Sequence, residues 1–219
     1  MTTTDRPAGP RSDLTLLALH GLRLQGFAPA PVIAERFGID RDHLERCLEL
    51  LAARGLVARR RGDDGRWTLT AAGRAEGERL LAAELDAAGQ RETVTDAYRQ
   101  FRCLNPELLA ACSAWQVKDT AAGLLNDHTD PAYDQAVIDQ LGSIDAAAKP
   151  IVARLGRALD RFADYGPRLA AALANVRAGD HRWLAEPLIA SYHTVWFELH
   201  EDLLATLGLD RRTEAVAPA

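Results

Sequence analysis

The chain has 219 residues, 47% hydrophobic, 26% charged and only 6% aromatic, with a formal net charge of -5. That is enough apolar content for a packed core and too balanced for wholesale disorder; no stretch approaches the roughly 18 uncharged apolar residues of a membrane span, and the polar opening MTTTDRPAGPRSD lacks the apolar middle of a secretion signal, so a cytoplasmic protein without membrane contact is expected. The charge is uneven: residues 1–80 carry 13 Arg against 11 Asp and Glu, and residues 81–219 carry 13 basic against 20 acidic side chains, so an anionic partner would meet the front.

In chain order, the leucines of residues 14–24 recur at helical spacing and Gly26 ends that segment. A short helix follows over 31–37, with Pro31 where a missing N–H costs nothing. Gly38 and Ile39 make a tight turn, Asp40 caps a helix over 41–54, and Gly55 closes it. Ala34, Gly38 and Leu44 supply what two helices crossing at a short turn need: a small residue at the contact, a glycine in the turn and an apolar anchor beyond it. Ile33, Phe37, Cys47, Leu48 and Leu51 face the same interior. An ordinary helical hairpin has the same spacing, so the next segment decides.

That segment is GLVARRRGDDGRWTLTAAGR, residues 55–74. It holds two short strands around an Asp-Gly turn, then Thr70 as the cap of a further helix. Helix, helix, turn, helix, hairpin, helix is the order of a winged helix. The run resembles the wing of MarR-type regulators, in which a leucine-threonine pair and then a glycine follow the second wing strand. The resemblance covers about residues 14–80 and implies that the helix over 41–54 enters the major groove while the arginine-rich hairpin meets the DNA backbone or minor groove. Arg41, Asp42, His43 and Arg46 lie on the outward, N-terminal side of that helix, where Arg can read guanine and Asp can accept from cytosine. Arg59, Arg60, Arg61 and Arg66 supply guanidinium forks for phosphate. Against this, Asp40, Asp42, Glu45 and Glu49 outnumber Arg41, Arg46 and Arg54 on the helix. Either the wing supplies most of the attraction, or the surface binds protein.

From Ala71 onward the pattern is helical and nothing suggests a sheet. Expected segments run from 71 to about 89, through Val94, Tyr98 and Phe101, over 106–117 behind an Asn105 cap, from Pro131 toward 141, over 151–165 after an interruption at Pro150, through a short helix after Pro167, and over about 187–207; residues 118–130 read as a loop. The segments FRCLNPELLAACSAWQ, NDHTDPAYD and SYHTVWFELHEDLL look like a helical module seen beside winged helices in actinobacterial proteins, some linked to phosphoenolpyruvate-using enzymes. That resemblance carries no catalytic residue across.

In the last helix, Leu188, Tyr192, Val195, Leu199 and Leu203 form an apolar stripe, with Ser191, Glu198 and Asp202 in a polar arc beside it. His193 and His200 fall nearly opposite that arc, near Trp196 and Phe197, and so point into protein. Seven residues place them about 10 Å apart along the axis, too far for one metal. The readings are buried structural histidines, a small-ligand pocket of Trp115, Gln116, Tyr192, His193, Trp196 and His200 with Asn105 and Asn126 as further contacts, or one histidine joined by Asp127, His128 or Asp130 on a metal. Enzymatic signatures are lacking: no nucleophile elbow surrounds Ser191, no phosphate loop occurs, the cysteines lack CxxC spacing, and Cys103 and Cys112 read as small buried hydrophobes.

The expectation is a mainly α protein: a tail over 1–12, a winged helix-turn-helix domain with a β-hairpin wing over 13–80, an all-helical bundle over 81–208 and a tail over 209–219. It would act as a DNA-binding transcriptional regulator, not an enzyme, needing no cofactor or metal. Its partners would be double-stranded DNA, a second copy in a homodimer, and a small-molecule effector of the helical domain. Two alternatives stay open: a protein-binding winged-helix adaptor or regulatory subunit of an enzyme, and a metal-dependent enzyme on the bundle.

Overall fold

A computed structural model describes residues 10–60, 62, 65–119 and 121–210. The protein is mainly helical with a small antiparallel sheet. Among the described residues no helix is long and apolar enough to cross a membrane. The chain forms two compact units. One holds residues 10–91, Leu159–Arg161 and residues 201–210; the other holds Glu92–Ala158 and Phe162–His200.

The first unit opens with α1 (Leu14–Gln25), whose Asp13 cap accepts from Thr15 N at 2.8 Å. Next comes β1 (Phe27–Pro29), a strand the residue pattern does not announce, then α2 (Ala30–Phe37). Gly38 adopts φ 63°, the left-handed conformation its turn requires. Asp40 Oδ1 accepts from His43 N at 2.9 Å to start α3 (Arg41–Ala53). Strands β2 (Val57–Arg59) and β3 (Arg66–Leu69) follow, and the sheet order is β1-β3-β2, all antiparallel. Phe27 faces Thr68 in the register and Val57 faces Leu69. Thr70 then caps α4 (Ala71–Ala87), accepting from Gly73 N at 3.0 Å. Leu19, Leu22, Ile33, Ala34, Leu44, Leu48, Leu51 and Trp67 make one core, so the inward faces expected of α1, α2 and α3 do meet.

In the second unit, α5 (Arg91–Gln116) runs unbroken through Pro106, so Asn105 is not a helix cap. Its buried residues explain why: Val94, Ala97, Tyr98, Phe101, Leu108, Ala111, Cys112 and Trp115 keep one helical register across the proline. Pro106 itself is exposed, and packing on both sides outweighs the roughly 3 kcal/mol a mid-helix proline costs. The same holds for α6 (Pro131–Ala158), which absorbs Pro150 because Ile144, Ala148, Ile151 and Leu155 continue the stripe of Ile138 and Leu141. The expected loop over 118–130 contains a two-stranded ladder, β4 (Val117–Asp119) with β5 (Leu124–Leu125), so this region is not purely helical. α7 (Tyr165–Arg177) and the single turn α8 (Arg182–Ala185) complete the unit up to α9 (Tyr192–Leu207).

α9 starts five residues later than expected; Leu188 lies outside it and is 91% exposed. The polar arc is buried, because each member has a partner. Ser191 Oγ lies 2.9 Å from Thr194 Oγ1, and Glu198 takes a two-pronged ion pair from Arg168 at 2.9 and 2.6 Å. Of the cysteines expected to be buried, Cys112 is and Cys103 is exposed. Burial pushes the Cys112 thiol up to about 11, leaving it an inert hydrophobe.

Candidate functional site

In the first unit, α3 turns Leu44, Leu48 and Leu51 into the core and leaves Arg41, Asp42, His43 and Arg46 exposed. Arg41 and Arg46 have no ion-pair partner among the described residues. Beside α3 lies the β2–β3 hairpin. Arg59 is not a free phosphate fork: it pairs with Glu45 and lies 3.9 Å from Glu49, both on α3, with its guanidinium 4.4 Å from the Trp67 ring centre. Residues 45 and 49 are one helical turn apart, so a strand arginine alongside reaches both. That contact offsets part of the acidity of α3. Arg60 and Arg66 approach the Phe27 ring at 4.8 and 5.4 Å. Phe27, 43% exposed, therefore props two guanidinium groups on the sheet. It is missed in the residue pattern because a three-residue strand has no periodicity to read. Arg61, like Asp63 and Asp64, lies outside the described residues.

The second unit separates the residues expected to bind a ligand into two places. Tyr192, Trp196 and His200 are buried, with the partly buried Asn105 against Trp196. Trp196 Nε1 donates to Asn105 Oδ1 at 3.1 Å, its ring stacks on Phe101 at 4.4 Å, and the His200 ring lies 5.4 Å from Phe101 and 6.4 Å from Tyr98. Tyr192 reaches Asp145 at 3.4 Å, and burial followed by that carboxylate pushes its phenol well above the usual range. His193 is half-buried.

Trp115 and Gln116 instead line a cleft of about 380 Å³ together with His128, His181, Arg182, Ala185, Glu186 and Pro187. Asn126 sits buried behind it, donating to Trp115 O at 3.1 Å and to Asp134 Oδ1 at 2.7 Å. His128 Nδ1 is 3.0 Å from Asp134 Oδ2. Its backbone takes φ 58°, the one non-glycine left-handed residue among those described. The His128 and His181 rings flank Trp115 with centres 4.5 and 5.0 Å away. His181 and Glu186 come from a segment that carries no local motif, so nothing in the residue pattern links them to Trp115.

The side chains considered for a metal are engaged otherwise. Asp130 caps α6 through Tyr133 N and pairs with Lys118 at 3.0 Å, which holds its carboxyl below the usual range; hydrogen bonds from Thr129 do the same for Asp127. Among the described residues no three His, Cys, Asp or Glu side chains converge as metal ligands.

Burial holds the His193 imidazole below its ordinary 6.5. The folded state keeps that ring neutral while the unfolded chain takes up the proton, so its share of stability is intact above pH 6.5 and shrinks as the pH falls through the depressed value. In urea titrations from about pH 7 to about pH 5, His193→Gln is expected to lose less stability than the native chain. An equal loss would show the ring to be hydrated in the folded state. No protein-family model, curated protein or solved structure matches the chain.

Proposed function

We propose that the chain is a DNA-binding transcriptional regulator of the MarR-like winged-helix type, acting as a homodimer. In this reading α3 enters the major groove with Arg41, Asp42, His43 and Arg46, and the β2–β3 hairpin lays Arg60 and Arg66 along the backbone. The helical unit dimerises and carries the effector site. The observation that carries the reading is the pairing of α3's exposed arginines with an aromatic-propped arginine hairpin beside them. Phosphate neutralisation by such groups is what makes duplex binding strong and salt-dependent. A homodimer matches a two-fold operator.

The test is fluorescence anisotropy with DNA from upstream of the protein's own gene, across a salt series. Affinity is expected to fall as salt rises, and Arg60→Ala with Arg66→Ala to weaken binding about tenfold and flatten the salt slope by roughly one unit per lost phosphate contact. Arg41→Ala alters sequence preference more than slope. Glu45→Gln with Glu49→Gln releases Arg59 toward phosphate and strengthens binding about threefold or more. Binding that ignores salt and these variants would overturn the reading. The protein-binding alternative draws on Leu50, 68% exposed on the same helix as Glu45 and Glu49. It predicts no DNA binding even at low salt and a stable complex with a partner protein.

A further inference from the structure

We propose that the cleft at Trp115 binds a small organic cation, which donates ammonium hydrogen bonds to His128 Nε2 and to the Glu186 carboxylate. The proposal goes beyond the regulatory reading, since it concerns occupancy of the cleft whether or not the chain binds DNA.

The place of one ring proton of His128, on Nδ1, follows from the hydrogen-bond accounting around it. Asn126 Nδ2 has two protons, and they go to Trp115 O and Asp134 Oδ1. Although His128 Nδ1 lies 3.2 Å from Asn126 Nδ2, that amide has no proton left to give. Asn126 Oδ1 is itself engaged by His128 N at 3.2 Å. The Asp134 carboxylate can only accept, so the proton on the 3.0 Å contact belongs to His128 Nδ1. A neutral imidazole protonated at Nδ1 presents Nε2 as an acceptor, and a carboxylate-held ring keeps that orientation. Asp134 and Asn126 are both buried, so they hold the ring from behind, and His128 lines the cleft.

The surrounding charge selects the sign of the ligand. Arg182 spends its fork on Asp180, with both contacts at 2.9 Å. Glu186 has no ion-pair contact within 4 Å among the described residues, and Arg182 attracts it at longer range. The lining holds one carboxylate, Glu186, against one guanidinium, Arg182, whose charge is met by Asp180 outside the cleft, and the buried Asp134 carboxylate behind His128 adds a second negative group; that balance favours a cation. Trp115 and Pro187 give an apolar wall for the remainder of the molecule. A volume of about 380 Å³ suits a small molecule of this kind.

The probe is phenethylamine, with phenylacetate as its anionic counterpart, titrated into the full chain and followed by long-range proton–nitrogen NMR correlations of the histidine rings. The native His128 ring is expected to show the Nδ1–H tautomer, phenethylamine to shift its Nε2 resonance, and phenylacetate to leave it unmoved. Glu186→Gln, at the edge of the cleft and outside any core, should weaken phenethylamine about tenfold, the loss of one charge-assisted hydrogen bond. Asp134→Asn should release the tautomer and weaken binding as well. A native Nε2–H tautomer, equal or tighter binding of phenylacetate, or no perturbation at millimolar phenethylamine would each overturn the proposal. Failure of DNA binding, measured separately, would leave it standing.

Discussion

Replacing Arg161 with Ala is expected to lower the unfolding free energy by about 3–5 kcal/mol, the cost of breaking a buried ion pair by removing one partner. Arg161 sits on the short turn Asp160–Phe162 with no exposed side-chain surface. It joins two carboxylates, contacting Asp202 Oδ1 through Nη1 and Glu84 Oε2 through Nε at 2.9 Å, and Nη2 reaches Thr206 Oγ1 at 2.5 Å. Burial works against the arginine's charge, but Asp202 and then Glu84 outweigh it and hold its pKa above the ordinary value. Asp202 is also 3.0 Å from His20 Nε2, with neither side chain exposed. Without the guanidinium, two carboxylates lose the cation that compensates their desolvation. The measurement is urea unfolding of the native chain, Arg161→Ala and Arg161→Lys. Lysine keeps the charge but lacks the fork, so it should fall between the other two. A loss below about 1 kcal/mol for the alanine variant would mean that water reaches the network and screens it.

The same network shows where reading the residues stops. Arg161 lies 77 positions from Glu84 and 41 from Asp202, and no spacing rule links charges that far apart. Seen alone, Asp202 and Glu198 look like a solvated arc; only their arginines explain why both are buried. Local chemistry, by contrast, was legible. Asp40 and Thr70 each cap the helix their sequence context predicts, because a cap needs only a side chain and the backbone a few residues on. Pro106, which reads as the first position of a helix, and Pro150, which reads as an interruption, both lie inside longer helices, because the buried stripes of α5 and α6 pass through them without losing phase. At the cleft, Trp115 and Gln116, with Asn126 as a further contact, stood out, though grouped with Tyr192, His193, Trp196 and His200 of the last helix. His181 and Glu186 did not, since the fold alone brings them there.

Gly73→Ala is expected to cost about 3 kcal/mol, while Gly77→Ala on the same helix should be neutral or stabilising by up to about 1 kcal/mol. Both glycines lie in α4, where alanine is the better helix former, so propensity alone predicts a gain at each. What separates them is the space a methyl group would enter. At Gly77 the nearest atom to an added Cβ is Leu19 Cβ at 3.6 Å, an ordinary contact. At Gly73 the added Cβ would fall 1.8 Å from Leu56 O and 2.8 Å from Leu56 C, and a backbone carbonyl cannot swing aside as a side-chain tip can. Leu56 O is also held where it is, accepting from Thr70 N at 3.1 Å, while Thr70 Oγ1 donates to Gly55 O at 2.7 Å and accepts from Gly73 N at 3.0 Å. A methyl at Gly73 therefore has to part the start of α4 from the residues leading into β2, breaking the cap and shifting the strand that carries Arg59. Urea midpoints of the two variants test this directly. Equal behaviour would show that α4 and Leu56 are not in close contact, and that the glycine following the hairpin has no steric reason to be there.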